Sequence, residues 1–215
     1  MSIQHHLSDD ILLDYAAGGL AEGWSLAAAT HIALCPVCRA RAAALDAIGG
    51  AALEDLTPAP ISDDALDACL RLLDAMEADP ALSAAPAGPG LLPTPLRAFV
   101  GGDVDVVAWR RVGGGVRQAP LGVRGGAKAR LLYIPAGVAV PEHGHGGLEM
   151  TVVLTGSFLD KADVFAAGDI QVCDGAVDHQ PISGDDGPCI CLAVTDAPLR
   201  FRRLVPRIAQ RIAGL

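Results

Sequence analysis

Residues 137–156 read GVAVPEHGHGGLEMTVVLTG, and five of them, Gly137, His143, His145, Glu149 and Gly156, stand as G-x5-H-x-H-x3-E-x6-G. His143 and His145 are two apart, so on an extended strand both imidazoles project to one face. Glu149 can return from the same hairpin as a hard oxygen donor. His179, downstream of Gly168 and Gly175, offers a third imidazole on a later strand, and three histidines with one glutamate are a normal inner sphere for a first-row divalent metal. The glycines read as turn and bulge positions. Outward from this stretch, short apolar runs at 104–109, 129–134, 151–154 and 189–194 are punctuated by Gly, Pro and Asp. Regular short strands of this kind predict an all-β barrel or sandwich over residues 96–215, with the arginine-rich 201–215 as a last strand followed by a short helix or tail.

Upstream the texture is different. Residues 1–77 are rich in Ala and Leu and poor in β-branched and aromatic residues, which predicts a helical domain. Ser8, before Asp9 and Asp10, caps a first helix that Gly18 and Gly19 can end, and a second helix is expected from Trp24 to Leu34. Pro36 opens a third, ending near Gly49 and Gly50. Ser62 with Asp63 and Asp64 starts a fourth, over 62–77, on which Leu66, Cys69, Leu70, Leu73 and Met76 form one apolar stripe. Residues 78–95, ADPALSAAPAGPGLLPTP, hold five prolines and two glycines, which exclude a continuous helix or a central strand; this is the linker between the two domains.

A second donor set lies in the helical part. His31, Cys35 and Cys38 form H-x3-C-x2-C. One helical turn puts His31 and Cys35 on the same face, and the two-residue gap brings the second thiol within reach of the same ion. Structural zinc needs a fourth ligand, and His5 or His6 is nearest in sequence. The competing readings are two buried small hydrophobes beside a surface histidine, a c-type haem, for which C-x-x-C-H is missing, and a thioredoxin-like pair, for which no βαβ context is present. Cys189 and Cys191 form C-x-C on one strand face, as redox-reactive thiols, neighbours of the β-domain metal, or core. Cys173 and Cys69 read the same way, as thiols or core.

The whole chain carries 16 Lys and Arg against 25 Asp and Glu, a net charge of -9, which disfavours direct binding of a phosphate backbone. An acidic protein can instead cover a basic partner. With no apolar run near the roughly 20 residues of a membrane span and no secretory layout at MSIQHHLSDD, a cytoplasmic protein is expected.

An upstream histidine followed by H-x3-C-x2-C in an Ala-rich helical segment resembles the zinc-binding anti-sigma domain, and G-x5-H-x-H-x3-E-x6-G resembles the first cupin motif. The second cupin motif is only partly present, with Cys173 in place of its proline. The two in this order, with HHLSD near the start, GGGVRQ at 113–118 and TDAPLRF at 195–201, resemble the ChrR-type anti-sigma factors. That resemblance implies His6 as the fourth zinc ligand, with His5 one residue away. It implies three helices around zinc, with a fourth that clamps an extracytoplasmic-function sigma factor through Leu66, Leu70, Leu73 and Met76. It further implies a cupin β-barrel (a double-stranded β-helix) holding zinc or another divalent metal at His143, His145, Glu149 and His179, and release of the sigma factor under oxidative stress, singlet oxygen being the associated signal. No enzymatic activity is implied. The alternatives are a cupin metallo-oxygenase or isomerase with a helical oligomerisation arm, and a redox or metal sensor without a sigma partner.

Overall fold

The computed structural model describes residues 2–76, 90–175, 178–198 and 200–201. Among the described residues five helices, α1 (Asp9–Ala16), α2 (Glu22–Leu34), α3 (Pro36–Glu54), α4 (Ala65–Ala75) and α5 (Thr94–Val100), precede the strands. Ser8 caps α1, its hydroxyl accepting from the Ile11 N–H, and Gly18 in the left-handed region turns the chain out of it. Cys35 is the N-cap of α3, its sulfur accepting from the Cys38 N–H at 3.4 Å, with Pro36 behind it. That geometry sets one thiol at a helix N-terminus, where the dipole favours negative charge.

Three local expectations need correction. Gly49 and Gly50 do not end α3, which runs on to Glu54. Neither has a positive φ, and in an Ala-rich helix each costs about 1 kcal/mol relative to alanine without breaking the hydrogen-bond ladder. Residues 104–109 form no strand, 104–106 being turn and 107–109 irregular. They follow α5, which the proline count concealed: Pro95 falls in the first turn, where a missing N–H is harmless, and Gly101, at φ 78°, closes the helix. α5 packs on α2 and buries Leu92 and Leu96, so the segment after 95 opens with a helix and not with a strand. Most of the expected linker, and the tail beyond Phe201, lie outside the described residues.

α4 differs from the other helices of the first half in burying none of its residues. Leu66 is 68%, Leu70 49%, Leu73 59% and Met76 69% exposed, so its apolar stripe is not spent on the chain's own core.

The strands are β1 (Arg110–Gly113), β2 (Val116–Leu121), β3 (Lys128–Ile134), β4 (His143–Gly144), β5 (Glu149–Thr155), β6 (Ser157–Asp160), β7 (Asp163–Ala166), β8 (Ile170–Cys173), β9 (Asp178–His179), β10 (Ile182–Ser183), β11 (Cys189–Thr195) and β12 (Arg200–Phe201). They form a β-sandwich: a six-stranded sheet in the order β1-β2-β3-β11-β5-β8, with two three-stranded sheets, β10-β6-β7 and β12-β4-β9. β11 and β5 are buried on both faces, which is why CICLAVT and EMTVV lack a polar alternation. Their outer face is covered by α2. Gly23 permits the approach, since a Cβ there would meet Val194 Cγ1 at 3.2 Å and Ala127 Cβ at 3.3 Å. Leu26 to Ala28 of α2 and Met150, Val152, Leu192 and Val194 of the sheet accordingly belong to one hydrophobic cluster. Among the described residues no helix is long and apolar enough to cross a membrane.

Candidate metal centres

His6, His31, Cys35 and Cys38 converge with one ligand atom from each within 4.8 Å of all the others. His6 Nδ1 lies 3.3 Å from Cys35 Sγ and 3.7 Å from Cys38 Sγ, and His31 Nε2 lies 3.3 Å from Cys38 Sγ. Bond lengths of about 2.3 Å to sulfur and 2.05 Å to nitrogen at a tetrahedral ion imply nitrogen–sulfur separations of about 3.5 Å, so the set fits zinc. The His31 tautomer agrees with that fit. Its Nδ1 is 2.9 Å from the Gly168 carbonyl, which can only accept, so the proton sits on Nδ1 and Nε2 turns a lone pair toward the thiols. Burial lowers the His31 pKa to about 4, keeping the ring neutral, and burial raises the Cys38 thiol pKa in the absence of a cation.

His5 faces the other way. Its Nδ1 is 3.4 Å from Asp169 Oδ2 and its ring sits 4.1 Å from that of Phe165. Asp169 also accepts from the Gln4 and His5 backbone N–H groups, so the N-terminal segment is pinned to the sandwich beside the Gly168 carbonyl that orients His31.

His143, His145, Glu149 and His179 form the second group, every one of them buried. His143 and His179 face each other in register across β4 and β9, while Glu149 opens β5. Their Nε2 atoms crowd together, His145 to His179 at 2.8 Å and His179 to His143 at 3.1 Å. His179 Nδ1 lies 2.7 Å from Asp160 Oδ2 and His143 Nδ1 lies 2.8 Å from the Pro141 carbonyl. Both partners accept, so both Nδ1 atoms carry a proton, and in the tautomers that leave Nε2 bare the two lone pairs point at each other. Two lone pairs at that distance repel unless a cation lies between them. Nitrogen ligands about 2.1 Å from a metal sit about 3.0–3.4 Å apart, so this set also fits. His145 Nδ1 is 3.4 Å from Glu149 Oε2 without hydrogen-bond geometry and is otherwise a buried orphan.

Burial dominates the electrostatics here. It pushes His143 and His145 down to about 4 and Glu149 up to about 7. Thr151 donates to Glu149 Oε1 at 3.2 Å, and Gln171 donates to Asp160 at 2.6 Å, holding both carboxylates in place. Cys173 lies opposite Glu149 on β8, its thiol pushed up to about 12 by burial. Cys189 and Cys191 are 0% and 2% exposed; the bond from Cys189, and then burial, raise the Cys191 thiol well above its usual range, so it is not a ready thiolate. Cys69 is exposed on α4.

Asp160 and Asp169 escaped the sequence reading, and Gly168 entered it only as a turn position and not as the carbonyl that orients His31. Asp160 looks like turn punctuation in FLDKAD, and a carbonyl such as that of Gly168 has no side-chain signature at all.

Residues 98–197 match the family model described as the ChrR cupin-like domain. The chain is 50% identical over 210 residues to the anti-sigma-E factor ChrR of Cereibacter sphaeroides, which spans 98% of each protein. In the crystal structure of Rhodobacter sphaeroides SigE in complex with the anti-sigma ChrR, a chain 50% identical to this one superposes with a TM-score of 0.78, over 91% of this chain and all of that one. With that identity sustained over nearly the full length of both proteins, the chain belongs to the ChrR family.

Proposed function

We propose that this chain is an anti-sigma factor that sequesters an extracytoplasmic-function sigma factor in the cytoplasm and releases it under oxidative stress, with singlet oxygen as the signal. The observation that carries the reading is the full-length identity to an anti-sigma factor and the match to a chain solved in complex with a sigma factor. In this reading residues 1–77 are the gripping domain, 78–95 the linker and 96–215 the responding domain. Zinc at His6, His31, Cys35 and Cys38 ties the N-terminal segment to α2 and α3. Zinc or another first-row dication is held by His143, His145, Glu149 and His179, with Asp160 and Pro141 fixing two of the rings. A bound dication supplies charge that takes up the facing lone pairs and keeps Glu149 ionised; the chain supplies neutral imidazoles and a dry site.

The exposed stripe on α4 supports a clamp, since a groove-binding helix presents anchors at this spacing and has no intramolecular use for them. Cys189 and Cys191 are the redox candidates, and an oxidant would reach Cys191 through the cavity it lines. Function as a cupin enzyme is disfavoured, because both relatives are named as anti-sigma factors.

The test is co-purification with the cognate sigma factor. Full-length protein and a fragment of residues 1–85 should both retain it, and Leu70→Asp with Leu73→Asp should weaken the complex at least about a hundredfold, as loss of central apolar anchors does. Because both positions are exposed, the variant should keep its melting temperature. An unchanged complex would remove α4 from the interface; absence of any sigma factor would remove the function.

A further inference from the structure

A cavity of about 350 Å³ lies between the six-stranded sheet and the smaller sheets, at the lower end of the roughly 300–1,000 Å³ typical of small-molecule sites. One row of cross-strand neighbours forms part of its wall. Arg130 on β3 pairs with Ala193 on β11, Ala193 with Thr151 on β5, and Thr151 with Gln171 on β8, and all four line the cavity. Ala193, the small residue in that row, leaves open space between Arg130 and Thr151. His143 and Glu149 also line the cavity, while Leu132, Ile134, Val140 and Phe158 give its remaining wall an apolar surface.

Arg130 is 6% exposed. Among the described residues its guanidinium makes no hydrogen bond and no ion pair, and the charge it feels is that of Glu149. A permanently charged group that is largely withdrawn from solvent and has no hydrogen-bond partner among the described residues is costly, and five fork-like N–H donors beside a cavity are matched by a carboxylate taken bidentately. The charges point the same way. A dication at the four ligands together with Arg130, set against Glu149 and Asp160, leaves one positive charge around the cavity. We propose that this cavity binds a small monocarboxylate with a short hydrocarbon tail, the carboxylate on Arg130 and the tail against Leu132, Ile134 and Phe158. The charge count rests on the metal reading above; the cavity, and a guanidinium without a hydrogen bond or ion pair among the described residues, do not.

The test uses the metal-loaded full-length protein with hexanoate as probe, read by calorimetry and by the shift in melting temperature. Hexanoate should bind, whereas 1-hexanol, which lacks the charge, and acetate, which lacks the tail, should bind at least about tenfold more weakly. Arg130→Met should hold or raise the melting temperature of the ligand-free protein while abolishing the hexanoate shift, because the variant removes an uncompensated buried charge. Ala193→Leu should abolish binding by filling the cavity with Arg130 intact. The inference is overturned if wild-type protein ignores hexanoate, if 1-hexanol binds as tightly, or if Arg130→Met destabilises the free protein and leaves hexanoate binding in place. Metal content measured on the same samples separates the two readings. Protein that holds its metal and ignores hexanoate loses this site alone; protein that binds hexanoate without metal keeps the site and loses the metal.

Discussion

The two donor clusters are built by the same device and differ in what they hold together. In each, a backbone carbonyl or carboxylate accepts from one ring nitrogen and so aims the other at the ligand centre: Gly168 behind His31, Pro141 behind His143, Asp160 behind His179. The helical cluster joins the N-terminal segment, the end of α2 and the start of α3, around a few leucines, alanines and the thiols themselves. The sandwich cluster hangs from β4, β5 and β9, beside a six-stranded sheet with an apolar core on its outer face. On the proposed metal reading, an ion at the first cluster would be part of a fold, whereas one at the second would be a tenant in one.

The hardest test of that contrast is Cys35→Ala or Cys38→Ala. Either removes one ligand from a site whose binding free energy is also folding free energy, on the order of 10 kcal/mol for structural zinc. The helical half should lose its ordered signal, its zinc, and its hold on the sigma factor, so that a sigma-driven reporter stays high before and after oxidant. Full zinc occupancy with normal inhibition in both variants would make the first cluster a tenant too.

Replacing His143, His145 or Glu149 with alanine should act on the other side of the comparison. The sandwich should stay folded and inhibition should persist, with metal lost from one site only. A reporter should then stay low both before and after oxidant exposure. Normal induction in all three variants would show that the second site takes no part in release.

Three of the four candidate donors in each cluster were legible because they are local, while His6 and His179 come from distant segments. H-x3-C-x2-C and H-x-H-x3-E each lie within one turn or one hairpin, where helical and strand periods fix which side chains share a face. What was not legible is carried by long-range register. Nothing near Arg130 in sequence says that Ala193 will stand between it and Thr151, and nothing near His31 foretells a carbonyl 137 residues downstream. The same limit hid α2's role: its small residues read as helix formers, yet Gly23 is small because the outer face of β11 lies against it. The helical half and the sandwich consequently share a core, although a proline-rich stretch separates them in sequence.

The pH dependence of metal uptake should sharpen the contrast further. Burial depresses His143 and His145 to about 4, so both rings are already neutral above that value, while Glu149, raised to about 7, must give up a proton to bind. Affinity at the sandwich site should thus rise about tenfold per pH unit up to about 7 and then level. At the helical site two thiols lose protons, and the rise should approach a hundredfold per unit. In the metal-free protein the signs divide. The unfolded state binds protons more tightly at His31, His143 and His145, so their contribution is lost as pH falls from about 6.5 to about 4. For Glu149 the native state binds the proton more tightly, so its contribution is lost as pH rises from about 4.5 to about 7. Metal titrations with the two sites separated by mutation would read these slopes, and equal slopes would contradict the assigned ligands.

The smallest effect probes where the helical half would stop depending on the zinc proposed for it. α3 buries only Cys38 and Ala42, so the turns beyond residue 42 stand largely clear of the core. Gly49 and Gly50 are exposed, and a methyl group on either would meet nothing within 4 Å. Alanine at each should therefore gain about 0.5–1 kcal/mol of helix stability, chiefly by narrowing the unfolded chain's freedom. If the end of α3 opens locally, amide exchange at residues 49–54 should slow by about two- to fivefold per substitution, while the amides of β11 keep their rate. Zinc retention and sigma binding should not change, because neither glycine touches a ligand or α4's exposed stripe. Equal slowing in β11 would mean that the end of α3 and the sheet open as one unit. The core shared through α2 would then outweigh the zinc in defining what unfolds together, and the division into a metal-built half and a metal-hosting half would fail at its boundary.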